Sequence, residues 1–300
     1  MRPDRVAVVT IAHRRHEHLE RHLWGLDRQT RPPDLLVVVA MDDPEIEDLV
    51  RHRQRRAAGY DPAPRAHVPS IGRIDGSLPL ASARNLGVDT AVAAGARHLV
   101  LLDVDCIAST RLVERYTQVL GRPDGPPLHV LAGEVSYLPP PPAGQDYRHL
   151  DLDALATPHP ARPVLDPAQT LAADDLRLFW SLSFATTADT WHALGGFDPV
   201  YVGYGAEDTD FGQRIGAAGG ALTWVGGARA HHQHHATRHP PTQHLDDIVA
   251  NANRFARRWG WWPMEGWLEA FEQQGLAHRR GDGTWVARRM DQRALPQCRS

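Results

Sequence analysis

The chain has 300 residues, 42% of them apolar, enough for one large α/β domain or two small ones with a sizeable core. Its 33 basic and 36 acidic residues leave a formal net charge of −3, so there is no basic field and nucleic acid is excluded as an expected partner. The two cysteines, Cys106 and Cys298, do not make a disulfide framework or a zinc ribbon, and no apolar run approaches the ~20 residues of a membrane helix.

The opening "MRPDRVAVVTIAH" lacks the long apolar core of a signal peptide. Together these features predict a soluble cytoplasmic protein with no transmembrane segment, peripheral attachment to a membrane being left open. Residues 6–10, "VAVVT", read as a strand, and Leu19, Leu23 and Leu26 repeat at helical spacing after it. "DLLVVVA" (34–40) is a second buried strand, and 44–56 is its helix with Pro44 in the first turn. A helix over 80–95 closes at Gly95. "HLVLLDV" (98–104) is the next strand, and "STRLVERYTQVLG" is a capped helix behind it. Strands that are apolar throughout and alternate with helices predict an α/β fold with a mainly parallel sheet flanked by helices.

Residues 137–170 are rich in proline and carry no period, which predicts a surface excursion or mobile flap. A strand and helix follow within 179–198 and end at Gly195–Gly196. "ALTWV" is a strand that ends at a Gly-Gly turn, with histidines after it, and 246–260 is a further amphipathic helix. The tail after 260 carries Trp261, Trp262 and Trp267, an aromatic cluster expected to serve packing.

Three segments carry chemistry. In parallel sheets ligands bind beyond the carboxyl ends of the strands, where Thr10, Met41–Asp43 and Asp103–Asp105 fall. Asp103 and Asp105 leave a buried strand at i and i+2, an arrangement that suits Mg²⁺ or Mn²⁺ but is common by chance. In "GYGAEDTD" the acids Glu207, Asp208 and Asp210 follow a glycine loop at a helix start, where the helix dipole favours negative charge and one could serve as general base. His232 and His235, three apart in "AHHQHH", have a workable ligand spacing.

"LLDVDC", "GGFDPVYVGYGAEDTDFGQR" and a histidine after "WVGGA" together resemble the inverting family-two glycosyltransferases of GT-A fold. The second half is most similar to a galactosyltransferase-type C-terminal module, whose signature reads roughly GGFDE-x-x-x-GWGGEDxDLxxR. "TIAHRRHEHLERHLWGL" and "ASARNLG" fit the same family, so the likeness covers about residues 5–255.

The resemblance implies one GT-A domain over 1–260, with a nucleotide-binding half over about 1–136, a catalytic half over about 171–260 and a Trp-rich extension over 261–300. It implies a metal-dependent transfer of a hexose from a nucleotide-diphosphate sugar, most simply a UDP-sugar, to a hydroxyl acceptor. Asp208 would be the base and Glu207 an acid that orients the acceptor. Asp103, Asp105 and His232 would hold Mn²⁺ or Mg²⁺, Asp105 most directly. Thr10, Ala12, Arg14, Asp42, Arg84, Asp103 and Tyr204 would contact the donor. Tyr204 stands where the family has Trp, Ala206 where it has Gly, and Arg229 near the place of a metal-side methionine. Two alternatives are a nucleotidyltransferase, for which "TIAHRRHEHL" lacks the glycine-rich loop, and a non-catalytic protein that binds a sugar nucleotide or metal.

Overall fold

The β-branched runs become the centre of a sheet. In the computed structural model, which describes residues 4–57 and 64–288, Val6–Ala12 (β1) and Leu35–Met41 (β2) are buried at every position. A strand covered on both faces reads as a nearly continuous apolar run, and these do, with Thr10 of β1 the exception. Arg65–His67 (β3) and Ser70–Ile71 (β4) run beside β2, and His98–Leu102 (β5) lies on the other side of β1. All of these pairings are parallel.

The second half adds Cys106–Ala108 (β6), His129–Tyr137 (β7), Thr157–Pro158 (β8), Thr170–Ala172 (β9), Ser183–Thr187 (β10) and Ala221–His232 (β11). The main order is β3-β2-β1-β5-β10-β7-β11-β6, with β4 on β2, β8 on β7 and β9 on β11. β10 is antiparallel to both neighbours and β6 is antiparallel to β11, so the sheet is mixed but mainly parallel.

Helices cover both faces. His16–Asp27 (α1), Glu45–Ala57 (α2) and Leu112–Leu120 (α4) bury Leu19, Leu23, Ile46, Val113 and Tyr116 against Val6, Val8, Leu36 and Val38. On the opposite face Leu80–Ala93 (α3), Ala188–Leu194 (α6) and Glu207–Ala217 (α7) pack Val88, Trp191 and Phe211 over Ala7, Val9 and Val37. Gly87 lets α3 come close, since a Cβ there would sit 2.5 Å from a Val9 methyl. The helix after β5 starts at Leu112 rather than at Ser109, whose carbonyl accepts from the Leu112 N–H while its hydroxyl caps nothing.

Two sequence expectations change. The Gly226–Gly227 pair does not end a strand. β11 continues to His232 through an irregularity between Val225 and Ala230, so His231 and His232 lie in the sheet. Residues 137–170 are also pinned rather than free along their length. Tyr147 is buried, and its hydroxyl donates to the Pro139 carbonyl at 2.7 Å. Arg162 is buried between Trp180 and Trp224, and donates to the carbonyls of Gly133 and Trp180. Between them a single turn, Leu152–Leu155 (α5), presents Asp153 to Arg229 and His231.

The tail folds onto Leu245–Trp259 (α8). Glu265–Gln273 (α9) and a hairpin of Ala277–Arg279 (β12) and Trp285–Ala287 (β13) enclose Ile248, Val249, Leu268, Phe271 and Trp285. Trp261 stands edge-on to Phe255 at 4.6 Å, so the tryptophans serve packing. The rest of the expected extension, 289–300 with Cys298, lies outside the described residues.

Candidate active site

Strand ends bring the polar residues together. After β1 the chain turns through Arg14 and Arg15, both left-handed (φ 56° and 39°), and Asp42 after β2 is left-handed as well (φ 48°). Such non-glycine geometry costs about 1–3 kcal/mol each and collects at functional sites. Asp43 fastens the two turns together: its carboxylate accepts from the Arg14 N–H at 2.6 Å and the Glu45 N–H at 3.1 Å, and bonds the His16 ring at 2.9 Å. Asp42 is exposed and receives Arg73 Nε at 2.6 Å. Thr10, expected at the donor, has its side chain inside: the hydroxyl donates to the Leu102 carbonyl and bonds His22, both at 2.9 Å. Ala12 closes β1 fully buried, and the Arg14 side chain is exposed.

Asp103 and Asp105 leave β5 in a tight turn closed by a bond from the Cys106 N–H to the Asp103 carbonyl at 2.9 Å. Their carboxylates then part. Asp103 faces Arg84 of α3 at 3.3 Å, and the same guanidinium reaches Glu207 Oε1 at 3.2 Å. Arg84 is 6% exposed, so one buried cation bridges two acids from distant segments.

Asp105 meets the other end of the chain because Cys106, next to it, is the register partner of His232 on β11. His232 Nε2 lies 3.6 Å and His235 Nε2 3.5 Å from the Asp105 carboxylate, and Arg15 Nη1 lies 3.0 Å from it. Burial works against an ionised Asp105, but the His235 bond with the His232 and Arg15 charges outweighs it and holds the carboxyl well below its usual range.

Asp105, His232 and His235 each offer one atom within 4.8 Å of the others, a group of metal-ligand type among the described residues. Asp105 Oδ1 is buried with no hydrogen-bond partner. One carboxylate with two imidazoles suits a first-row transition dication better than Mg²⁺. The donor set therefore fits a metal; Asp103, expected as a ligand, is outside this group and pairs with Arg84. His231 is also apart, bonded to Asp153 at 3.1 Å, and Arg229 pairs with Glu134 and Asp153 instead of approaching Asp105.

The acids of α7 differ among themselves. Asp210 is fully buried and structural: it accepts from Arg214 Nε (2.8 Å), Trp259 Nε1 (2.9 Å) and Arg258 (3.2 Å), tying α7 to α8. Glu207 is buried with Oε2 unpartnered, and burial, then the neighbouring Asp208, raise its carboxyl to about 7 against the pull of Arg84. Burial raises Asp208 too, although its Oδ1 accepts from the Thr209 N–H at 2.7 Å.

The preceding loop is fixed from α8. Asp247 takes Ser77 Oγ at 2.8 Å and the Tyr204 N–H at 3.3 Å, and it fills the space a side chain at Gly203 would need. Tyr204 is 38% exposed, stacked on His244 at 4.6 Å with Trp267 beside it. Ala206, which begins α7, has φ 74°, a backbone that glycine adopts without strain.

Arg15 was not legible in the sequence, since nothing in "HRRHEHL" marks one arginine over its neighbour. His235 was marked only by its i+3 spacing from His232.

Comparison with known proteins fits this geometry. Residues 174–239 match a family model described as the N-terminal domain of galactosyltransferase, although here they lie in the second half of the chain. Two validoxylamine A glucosyltransferases, from Streptomyces hygroscopicus subsp. limoneus and subsp. jinggangensis, are each 28% identical over 279 residues, covering 84% of this chain. The chain spans 56% and 60% of their respective lengths. Among solved structures, GalNAc-T7 with UDP, GalNAc and Mn²⁺ superposes with a TM-score of 0.57 at 14% identity, over 91% of this chain and 58% of its own. S. aureus TarS 1-349 gives 0.52 at 12% identity, over 83% of this chain and 64% of its own. The strand order and the structural likenesses agree on a GT-A fold, and the matched segment is similar to a galactosyltransferase domain.

Proposed function

We propose that the protein is a metal-dependent inverting glycosyltransferase that moves a hexose from a nucleotide-diphosphate sugar to a hydroxyl acceptor. The observation that carries this reading is the meeting of two chemistries from distant parts of the chain. Asp105, His232 and His235 form a ligand-type set, and Arg84 joins Asp103, two residues before Asp105, to Glu207, the neighbour of Asp208.

Asp105, His232 and His235 would hold Mn²⁺ (or Mg²⁺), which when bound offsets charge on a diphosphate. Asp208 accepts the acceptor hydroxyl's proton as the oxygen attacks the anomeric carbon from the face opposite the leaving group, so an α-linked donor gives a β-linked product. Its raised carboxyl is a stronger base than an ordinary aspartate. Glu207, placed beside it and held by Arg84, orients the acceptor.

UDP is the nucleotide favoured here, since GalNAc-T7 was crystallised with UDP and Mn²⁺. Glucose as the sugar and an aminocyclitol like validoxylamine A as the acceptor are the first pair to try, by the names of the curated relatives. No helix among the described residues is long and apolar enough to cross a membrane, and the cytoplasm is the compartment we propose. The test is a panel of UDP- and GDP-hexoses with Mn²⁺, followed for nucleotide release with and without acceptor. Release from at least one donor is expected. Tight binding without release from any of them would leave a non-catalytic sugar-nucleotide protein in its place.

A further inference from the structure

We infer that Arg15 is a tethered counter-ion for Asp105 that makes metal binding depend on the diphosphate. The inference rests on the metal reading above and concerns how that site is loaded.

The Arg15 guanidinium lies 3.0 Å from Asp105 Oδ2, the same carboxylate that His232 and His235 approach at 3.6 and 3.5 Å. It is a poor permanent partner. The Arg15 side chain is 37% exposed, against 8% for Arg84, and Asp105 is the acceptor found for it. A long, half-exposed arginine held at one point gives a weak ion pair and can swing away at little cost. Arg14 and Arg15 are successive left-handed residues between β1 and α1, and the Arg15 side chain reaches Asp105 from that turn.

A dication at Asp105, His232 and His235 and the Arg15 guanidinium want the same oxygens and repel each other at contact distance. Binding of metal alone therefore has to displace Arg15 into solvent or tolerate its charge. A diphosphate changes the balance, because its oxygens accept from a displaced guanidinium while they also face the metal. Arg15 then works against the metal alone and for the metal with diphosphate, and the coupling between the two ligands is reciprocal.

The experiment titrates Mn²⁺ into the full chain by calorimetry, with and without saturating UDP, for wild type, Arg15→Gln, Arg15→Lys and Asp105→Asn. Thermal melting serves as the fold check. Wild type should bind Mn²⁺ weakly alone and at least about tenfold more tightly with UDP, a typical coupling. Arg15→Gln should tighten Mn²⁺ binding without UDP by about three- to tenfold, the scale of one exposed ion pair plus its repulsion. The UDP-dependent gain should shrink in the same variant. Arg15→Lys, which keeps the charge, should restore most of the wild-type pattern. Mn²⁺ affinity that Arg15→Gln leaves unchanged or weakens, with the UDP gain intact, overturns the inference alone. No Mn²⁺ uptake by wild type, with or without UDP, overturns both the inference and the metal reading beneath it. Uptake that survives in Asp105→Asn does the same, because the ion is then bound elsewhere.

Discussion

Asp103 and Asp105 are two residues apart, yet they belong to different machines. Asp103, itself partly exposed, is matched by Arg84, a buried cation that also holds Glu207. Asp105 faces two histidines at 3.5 and 3.6 Å and one half-exposed arginine, and one of its oxygens is left without a partner. A closed ion pair gives rigidity, whereas an under-coordinated carboxylate gives affinity for something else. The contrast is what the metal proposal rests on: the first aspartate has a buried cation as partner, and the second has an oxygen left open.

The largest expected effects test the open corner and the acids beside it. Asp208→Asn should lower transfer by at least ~10²-fold, the low end for a lost general base, while Mn²⁺ and UDP binding measured by calorimetry stay near wild type. Wild-type turnover would shift the role to Glu207. Asp105→Ala, His232→Ala and His235→Ala should each weaken Mn²⁺ binding by more than ~10-fold, the range reported when metal sites lose even an outer partner. His234→Ala should not, since that side chain is exposed and outside the ligand group. Chelation with EDTA should suppress UDP binding, and Mn²⁺ should restore it more fully than Mg²⁺.

The closed corner should answer in stability instead. Arg84→Met leaves the buried Glu207 and the partly exposed Asp103 without their cation, a change that costs up to about 3–5 kcal/mol and is read as a lower midpoint in urea. Arg15→Gln should cost under about 1 kcal/mol, because its pair is half-exposed and screened. Equal losses at the two arginines would erase the distinction drawn above.

A smaller effect follows from Glu207. Its folded carboxyl is raised to about 7 from an ordinary 4.5, so the folded state holds the proton more tightly than the unfolded chain. The stability this gives is fully present below about pH 4.5 and is lost as pH rises through about 7. Melting followed from pH 4.5 to 8 should therefore decline less steeply in Glu207→Gln than in wild type. The smallest change concerns Ala206, whose left-handed backbone Ala206→Gly would relax. Melting should rise slightly, by the equivalent of about 1 kcal/mol or less.

Much of this architecture was legible because it rests on local pattern. β1, β2 and β5 are buried at every position and apolar at all but Thr10 and His98, and Gly95 and Gly195 stop their helices in left-handed geometry. The site was legible as residue types, and less so as partnerships. The sequence shows that Asp103 and Asp105 leave a strand, but which one meets Arg84 depends on how α3 packs. Nothing local tells that Asp210 is consumed by Trp259 and Arg258, or that the Thr10 hydroxyl is turned inward onto His22. The proline-rich stretch was unreadable for a related reason. Its anchors, Tyr147 and Arg162, find their partners through tertiary contacts rather than through any repeat.

The irregularity in β11 has a consequence of parity. Val225 pairs with Gly133 and Ala230 with Val135, so five steps along β11 match two along β7, and three residues are extruded. An odd extrusion exchanges the faces of a strand. Trp224 upstream accordingly belongs to one apolar layer and Ala230 downstream to the other. His232 meets Asp105 only in that exchanged phase, as the partner of Cys106. The loop of Gly226 and Gly227 therefore acts like the frame of a code: an insertion or deletion of two residues there keeps the phase, whereas a change of one would present His231 or Gln233 to Asp105 while leaving every strand of the sheet in place.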